Sequence, residues 1–301
     1  MTRDESYVRT TAVMGTIVSV QVVGHGTSQR ARRERQQGVD RAVGWFTHVE
    51  SVCTRFDANS ELRRLSAHSG KAIPVSALLF EAVQFALAVA DATDGAFDPT
   101  IGHRMEARGF DREHRSGAVA NSNMAVADDV SYRDVEVDAE ARTIRLHRPL
   151  VLDLGAVAKG LAIDMAAREL ASFVNFAVDA GGDLFLGGHN VAGDAWSVGV
   201  RHPSDHAHLL ETMHVSDSAV CTSGEYERPG HLWHGVRDES LQTTVSATVV
   251  APSAMVADAL ATAAYVLGPV DGIALLERHE VRGLLVTSTL ERHTTRAWPN
   301  D

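Results

Sequence analysis

VLDLGAVAKGLAIDMAAREL, residues 151–170, reads as a buried strand that breaks at Gly155 and runs into a long apolar helix, with Lys159 and Gly160 at the joint. A strand that passes into a helix through small residues leaves main-chain N–H groups facing whatever sits above the helix start, which suits an anion or a phosphate. The spacing is not that of a phosphate loop, because only three residues separate Gly155 from Lys159 and no Ser or Thr follows the lysine. The neighbours of this stretch bear on the fold class. Before it, residues 132–137 and 142–147 are separated by DAEA and predict a β-hairpin. After it, residues 176–179 and 184–186 flank Ala180-Gly181-Gly182-Asp183 as strand, tight turn and strand. Strands that follow one another directly predict an α+β fold with largely antiparallel sheets and packed helices, not a doubly wound one.

The same reading extends to both ends of the chain. Residues 13–23 are β-rich, and 30–51 form a charged helix with an apolar stripe through Val39, Val43, Phe46 and Val49. Ser60, Ser76 and Ser253 each stand before a helical pattern as N-cap residues. The helix after Ser76 stops at Asp94-Gly95, and GAFDPTIG (95–102) has the composition of a loop. Residues 111–130 have no clear period and are expected to form a connection or mobile insert. Further strands are predicted at 195–200, 214–223, 244–251 and 284–287, with helices at 254–268 and 272–278 divided by Gly268-Pro269. No repeat or low-complexity linker cuts the chain, so one domain over 1–301 is expected, with the 111–130 insert at its edge.

Composition excludes several classes. A net charge of −11 argues against a nucleic-acid surface, which needs clustered Lys and Arg. The polar start MTRDESYVRT lacks the apolar core of a signal peptide, and no later run is expected to reach the length of a membrane span. Cys53 and Cys221, far apart and outside any C-x-x-C, fit reduced thiols in a cytoplasmic protein. The 15 histidines make no zinc-binding spacing.

In the helix after Ser253, Asp258 and Thr262 stand four apart on one face of an otherwise apolar segment. A buried aspartate is costly unless it is paired or binds a metal, and carboxylate plus hydroxyl suits Mg²⁺. A hydrogen-bonded structural aspartate is the alternative. Asp183 follows two glycines, and Thr222-Ser223-Gly224 ends a strand in hydroxyls and a glycine, suited to close approach of a ligand.

Taken in order, these motifs resemble those of the FAD:protein FMN transferases, the ApbE family, whose architecture is related to the T-fold. Met14-Gly15-Thr16 is similar to the family's M-G-T, and Arg55-Phe56-Asp57 with Ser60-Glu61-Leu62 to its aromatic–Asp–x–x–Ser–Glu–Leu segment. Residues 93–100 (TDGAFDPT) resemble a signature loop, and Asp153-Leu154-Gly155-Ala156 with Ala158-Lys159-Gly160 resembles D-L-G-[GA]-x-A-K-G. The motifs at 180–183, 222–228 and 257–263 follow in the family's order.

The resemblance implies a Mg²⁺-dependent enzyme that transfers the FMN moiety of FAD to a Thr or Ser hydroxyl of a target flavoprotein and releases AMP. It implies metal ligation by Asp258 and Thr262, with main-chain oxygen from the Gly155–Ala156 turn, and so a catalytic part for Asp258. It also implies nucleotide contacts at Met14, Gly15, Phe56, Asp98, Lys159, Asp183, Thr222, Ser223 and Gly224. Of these, Met14 and Phe56 would lie near the isoalloxazine, and Asp183, Ser223 and Gly224 on the adenosine side. Residues 230–240, GHLWHGVRDES, stand where the family has H-I-[IV]-D-P-[RK]-T-G. His231 or His234, depending on register, would be the base toward the acceptor hydroxyl. Two alternatives stay open, an FAD pyrophosphatase giving FMN and AMP and an FAD-binding protein without transferase activity.

Overall fold

The computed structural model describes residues 5–24, 26–113, 117–205, 207–224 and 244–299. In chain order the elements are β1 (Glu5–Val13), β2 (Thr16–Gly24), α1 (Gln29–Cys53), α2 (Glu61–Ser66), β3 (Ala72–Pro74), α3 (Ala77–Ala92) and α4 (Gly102–Ala107). There follow β4 (Val135–Asp138), β5 (Thr143–Leu146), α5 (Gly155–Leu170), β6 (Asn175–Ala180), β7 (Asp183–Gly187), β8 (Trp196–Arg201) and β9 (Leu209–Val215). The last are β10 (Ser218–Ser223), β11 (Thr244–Ala251), α6 (Ala254–Arg278), β12 (Arg282–Thr287) and β13 (Arg292–Thr294).

Eight strands form the central sheet in the order β1-β2-β6-β7-β10-β11-β12-β13. Every pairing in it is antiparallel, as the α+β reading expected. Alternating side chains sort its two faces. Val18, Val20 and Val22 of β2, Val178 of β6, Cys221 of β10 and Val249 of β11 join the core formed with α1, α3, α5 and α6. On the opposite face Leu186, Val220, Val250, Leu284 and Val286 meet Val198, Val200, Met213 and Val215 of the β8–β9 ribbon. A small sheet, β3-β5-β4, stands apart.

The expected caps form as local chemistry requires. The hydroxyls of Ser60, Ser76 and Ser253 accept from the N–H groups of Arg63, Leu79 and Val256 respectively. The tight turn between β6 and β7 has Gly181 and Gly182 both at positive φ, +68° and +98°. That conformation matches a two-residue hairpin turn.

Four expectations need correction. Residues 151–154 are not a regular strand; Val151 makes one isolated bridge to Ile101. Their main chain is bonded to a loop instead, through Gly102 N–H to Val151 O and Asp153 N–H to Pro99 O. Lys159 lies inside α5 and not at the joint, because the helix begins at Gly155. The β-rich stretch at 13–23 is the second arm of a hairpin whose first arm, β1, reaches back to Glu5. Finally, α6 is long and apolar enough to cross a membrane, with a mean hydropathy of 1.6. Its apolarity is used against α5, β10, β11 and β12. Gly268, at φ +83°, interrupts its helical backbone just before Pro269, at the place where two helices were expected to divide.

Candidate active site

The α5–α6 crossing brings the chemistry-bearing residues together. Gly160 makes the close approach possible: a Cβ there would lie 2.5 Å from the Ala254 carbonyl oxygen and 2.6 Å from Met255 Cα. Its N–H donates to Asp258 Oδ2 at 3.2 Å. One turn further along α5, Asp164 accepts from Ser253 Oγ at 2.6 Å and from the N–H groups of Ala254 and Met255 at 2.7 and 3.0 Å. That carboxylate caps the positive end of α6 and fixes its rotation against α5.

Lys159 and Asp183 form an ion pair, and Lys159 Nζ also lies 3.5 Å from Asp258 Oδ1. Asp183 Oδ1 accepts the N–H of Thr222 at 2.9 Å. The neighbouring hydroxyl of Ser223 is 3.0 Å from that of Thr262 on α6. Asp183 and Asp258 are only 3% and 4% exposed. Two buried carboxylates against one ammonium leave the cluster with an excess of negative charge, which favours a further cation. Six residues singled out in the sequence thus form one connected group: Lys159, Asp183, Thr222, Ser223, Asp258 and Thr262. Gly224 follows Ser223 directly and is buried.

The chain just after the Met14–Gly15 turn packs on the Gly181–Gly182 turn that leads into Asp183. Gly181 N–H donates to Ile17 O at 3.0 Å, and a side chain at Gly181 would collide with Thr16. Met14 N–H is anchored on Glu50 Oε1 of α1 at 2.9 Å. Gly155 and Ala156 are the first residues of α5, so their carbonyls point along the helix toward Lys159 and Gly160. A carbonyl in a helical bond keeps a second lone pair.

Phe56 and Asp98 lie in two segments that are each tied to Asp153, just before α5, through Arg55 and the Pro99 carbonyl. Arg55 Nε pairs with Asp153 Oδ2 at 2.7 Å, and Asp153 Oδ1 accepts the N–H of Gly155 at 2.8 Å. The Arg55 guanidinium lies 4.2 Å above the centre of the half-buried Phe56 ring. Both oxygens of Asp98 are occupied: Oδ1 accepts from the N–H and hydroxyl of Thr100 in its own loop, and Oδ2 from the N–H of the distant Tyr132. Sequence reasoning put Arg55 and Asp153 inside motifs without a role for either. Charge alternation gives no sign of the bond between them, since 98 positions separate the two.

Ser122, within the stretch read as an insert, is bonded to α4. Glu106 of α4 accepts from the N–H and hydroxyl of Ser122, and Arg63 of α2 lies 3.6 Å from the same carboxylate. Among the described residues no three His, Cys, Asp or Glu side chains converge as a metal cluster. The donors at Asp258 and Thr262 are hard oxygens, and their chemistry fits Mg²⁺ better than a softer ion. His231 and His234 lie outside the described residues.

The chain also has relatives among known proteins. A model of the ApbE family matches residues 14–285. A Vibrio cholerae protein named FAD:protein FMN transferase is 30% identical over 268 residues, covering 84% of this chain and 79% of its own. One of the same name from Treponema pallidum is 31% identical, over 91% of this chain and 82% of its own. The crystal structure of the ApbE protein from Thermotoga maritima superposes with a TM-score of 0.79 at 26% identity, covering 97% of each chain. The flavin transferase ApbE from Vibrio cholerae superposes at 0.80 over 98% of each chain; at 24% identity that likeness bears on the fold alone.

Proposed function

The chain belongs to the ApbE family, and from that membership we propose that it is a Mg²⁺-dependent FAD:protein FMN transferase. The acceptor is a Thr or Ser hydroxyl of a target flavoprotein. The acceptor oxygen bonds to the FMN-side phosphorus, the pyrophosphate P–O bond breaks, and AMP leaves with the electron pair. The hydroxyl proton passes to a base, for which His231 or His234 is the proposed residue.

The observation that carries the reading is the Lys159–Asp183–Asp258 group with its Ser223–Thr262 hydroxyl pair. Asp258 and Thr262, with main-chain oxygen of Gly155 or Ala156, would hold the metal. A bound Mg²⁺ supplies charge neutralisation at the pyrophosphate. Asp183, Thr222, Ser223 and Gly224 would receive the adenosine side, and Lys159 offers a cation to the phosphates from between the two carboxylates. Met14, Gly15 and Phe56 would border the flavin. Asp98, whose oxygens are already engaged, would contribute by shaping the loop that borders the nucleotide.

The same reading takes residues 1–301 as one domain with 111–130 as its insert, supported by a central sheet that draws strands from both ends of the chain. It takes the location as cytoplasmic, supported by two free buried cysteines, gives nucleic acid no part, supported by the net charge of −11, and gives membrane no part, supported by the packing of α6 against α5 and the central sheet. The test is chromatographic. AMP should form from FAD and Mg²⁺ only when an acceptor flavoprotein is present. Release of both AMP and FMN without acceptor would replace transfer by hydrolysis, and bound FAD without turnover would leave binding alone.

A further inference from the structure

Arg55 is 4% exposed and belongs to none of the residues given a role above. Its guanidinium spans three segments: Nε on Asp153 at 2.7 Å, Nη2 on the Phe110 carbonyl at 2.5 Å, and its face over the Phe56 ring at 4.2 Å. Nη1 is buried with no hydrogen-bond partner among the described residues. A guanidinium placed for hydrogen bonding alone would turn its fork to use that donor. Here one buried donor is given up while the stack on Phe56 is kept, a departure from full polar satisfaction that is typical of functional sites.

We infer that Arg55 is a positioning residue for the flavin half of the site, holding the Phe56 ring and the Asp153 carboxylate in one fixed arrangement. This rests on the reading of Phe56 as a flavin neighbour. An aromatic ring that must stack on a flat ligand loses affinity if it rotates freely, and a planar cation against one face suppresses that rotation. The same guanidinium holds Asp153, which caps the first N–H of α5, so ring and helix start move together. Lysine cannot replace it, because an ammonium has neither the plane to stack nor the fork to bond Asp153 and Phe110 at once.

The test uses the full chain and three variants, Arg55→Lys, Arg55→Met and Phe56→Leu, titrated with FAD by flavin fluorescence and with ADP by calorimetry. Arg55→Lys should weaken FAD about tenfold, the scale of one lost stacking contact, and return the bound flavin's visible band toward that of free FAD. Its ADP affinity should stay within about twofold, since the adenosine side does not touch Arg55. Equal losses of FAD and ADP affinity with a fall in melting temperature would overturn the inference in favour of a purely structural arginine. Wild-type FAD binding by Arg55→Lys, with FAD weakened in Phe56→Leu, would overturn it while sparing the reading of Phe56. Unchanged FAD binding in Phe56→Leu would overturn that reading and the inference with it. If Arg55→Met fails to fold, Arg55→Lys, which keeps the charge beside Asp153, still decides.

Discussion

The main-chain N–H of Gly160 donates to Oδ2 of Asp258 at 3.2 Å, so a helix backbone on α5 holds a side chain on α6. That bond requires the helices to touch, and the absent side chain at Gly160 lets them. Gly160→Ala would drive a methyl into the Ala254 carbonyl and Met255 Cα. Overpacking of this kind costs about 1–3 kcal/mol. Urea denaturation should show a lower midpoint with an unchanged slope, and an unaltered midpoint would mean that the helices can separate without cost.

Asp164 is the second fastening between the same helices. Its carboxylate satisfies Ser253 Oγ and two N–H groups at the start of α6. Removing a buried charged acceptor strands those donors, so Asp164→Ala should destabilise by roughly 2–4 kcal/mol. Asp164→Asn, which keeps one acceptor oxygen, should lose less. Equal losses in the two variants would assign the effect to packing alone.

Lys159 and Asp258 should separate metal binding from nucleotide binding. In calorimetry with Mg²⁺, Asp258→Ala should abolish the heat of binding, because its carboxylate is the one charged ligand proposed. Lys159→Ala should leave Mg²⁺ binding largely intact while weakening FAD. The reverse pattern would make Lys159 the organiser of the metal site and remove Asp258 from it.

The two thiols give a pH prediction. Burial pushes Cys53 up to about 12, with a smaller contribution from Glu61. It raises Cys221 well above the ordinary thiol range, with Asp258 adding to the shift and Lys159 opposing it. The thiolate is the reactive form, so native protein should not react with a disulfide reagent at pH 8, and raising the pH to 9 should add little. Both thiols should react once the chain is unfolded by guanidinium. Prompt labelling of native protein would place one of these side chains at the surface.

Much of this architecture was legible because local chemistry specified it. Ser60, Ser76 and Ser253 cap the helices expected of them, and Gly181-Gly182 makes the turn that its two glycines predicted. What was hidden depends on distant partners. β1 is polar along most of its length because it is an edge strand, so apolar spacing could not announce it. Residues 151–154 are apolar enough for a strand, yet the 99–102 loop takes up their main-chain groups. The motifs carried six of their members into one cluster, but the place of Lys159 in it depends on α6, which supplies Asp258 beside it. Arg55 and Asp153 were visible as residues and invisible as a pair.

The most direct test is the intact mass of an acceptor flavoprotein after incubation with this protein, FAD and Mg²⁺. The account predicts a gain of one FMN unit on a Thr or Ser, one AMP released per acceptor modified, and neither product with Asp258→Ala. An unchanged acceptor mass with AMP still accumulating, or full modification by Asp258→Ala, would contradict it.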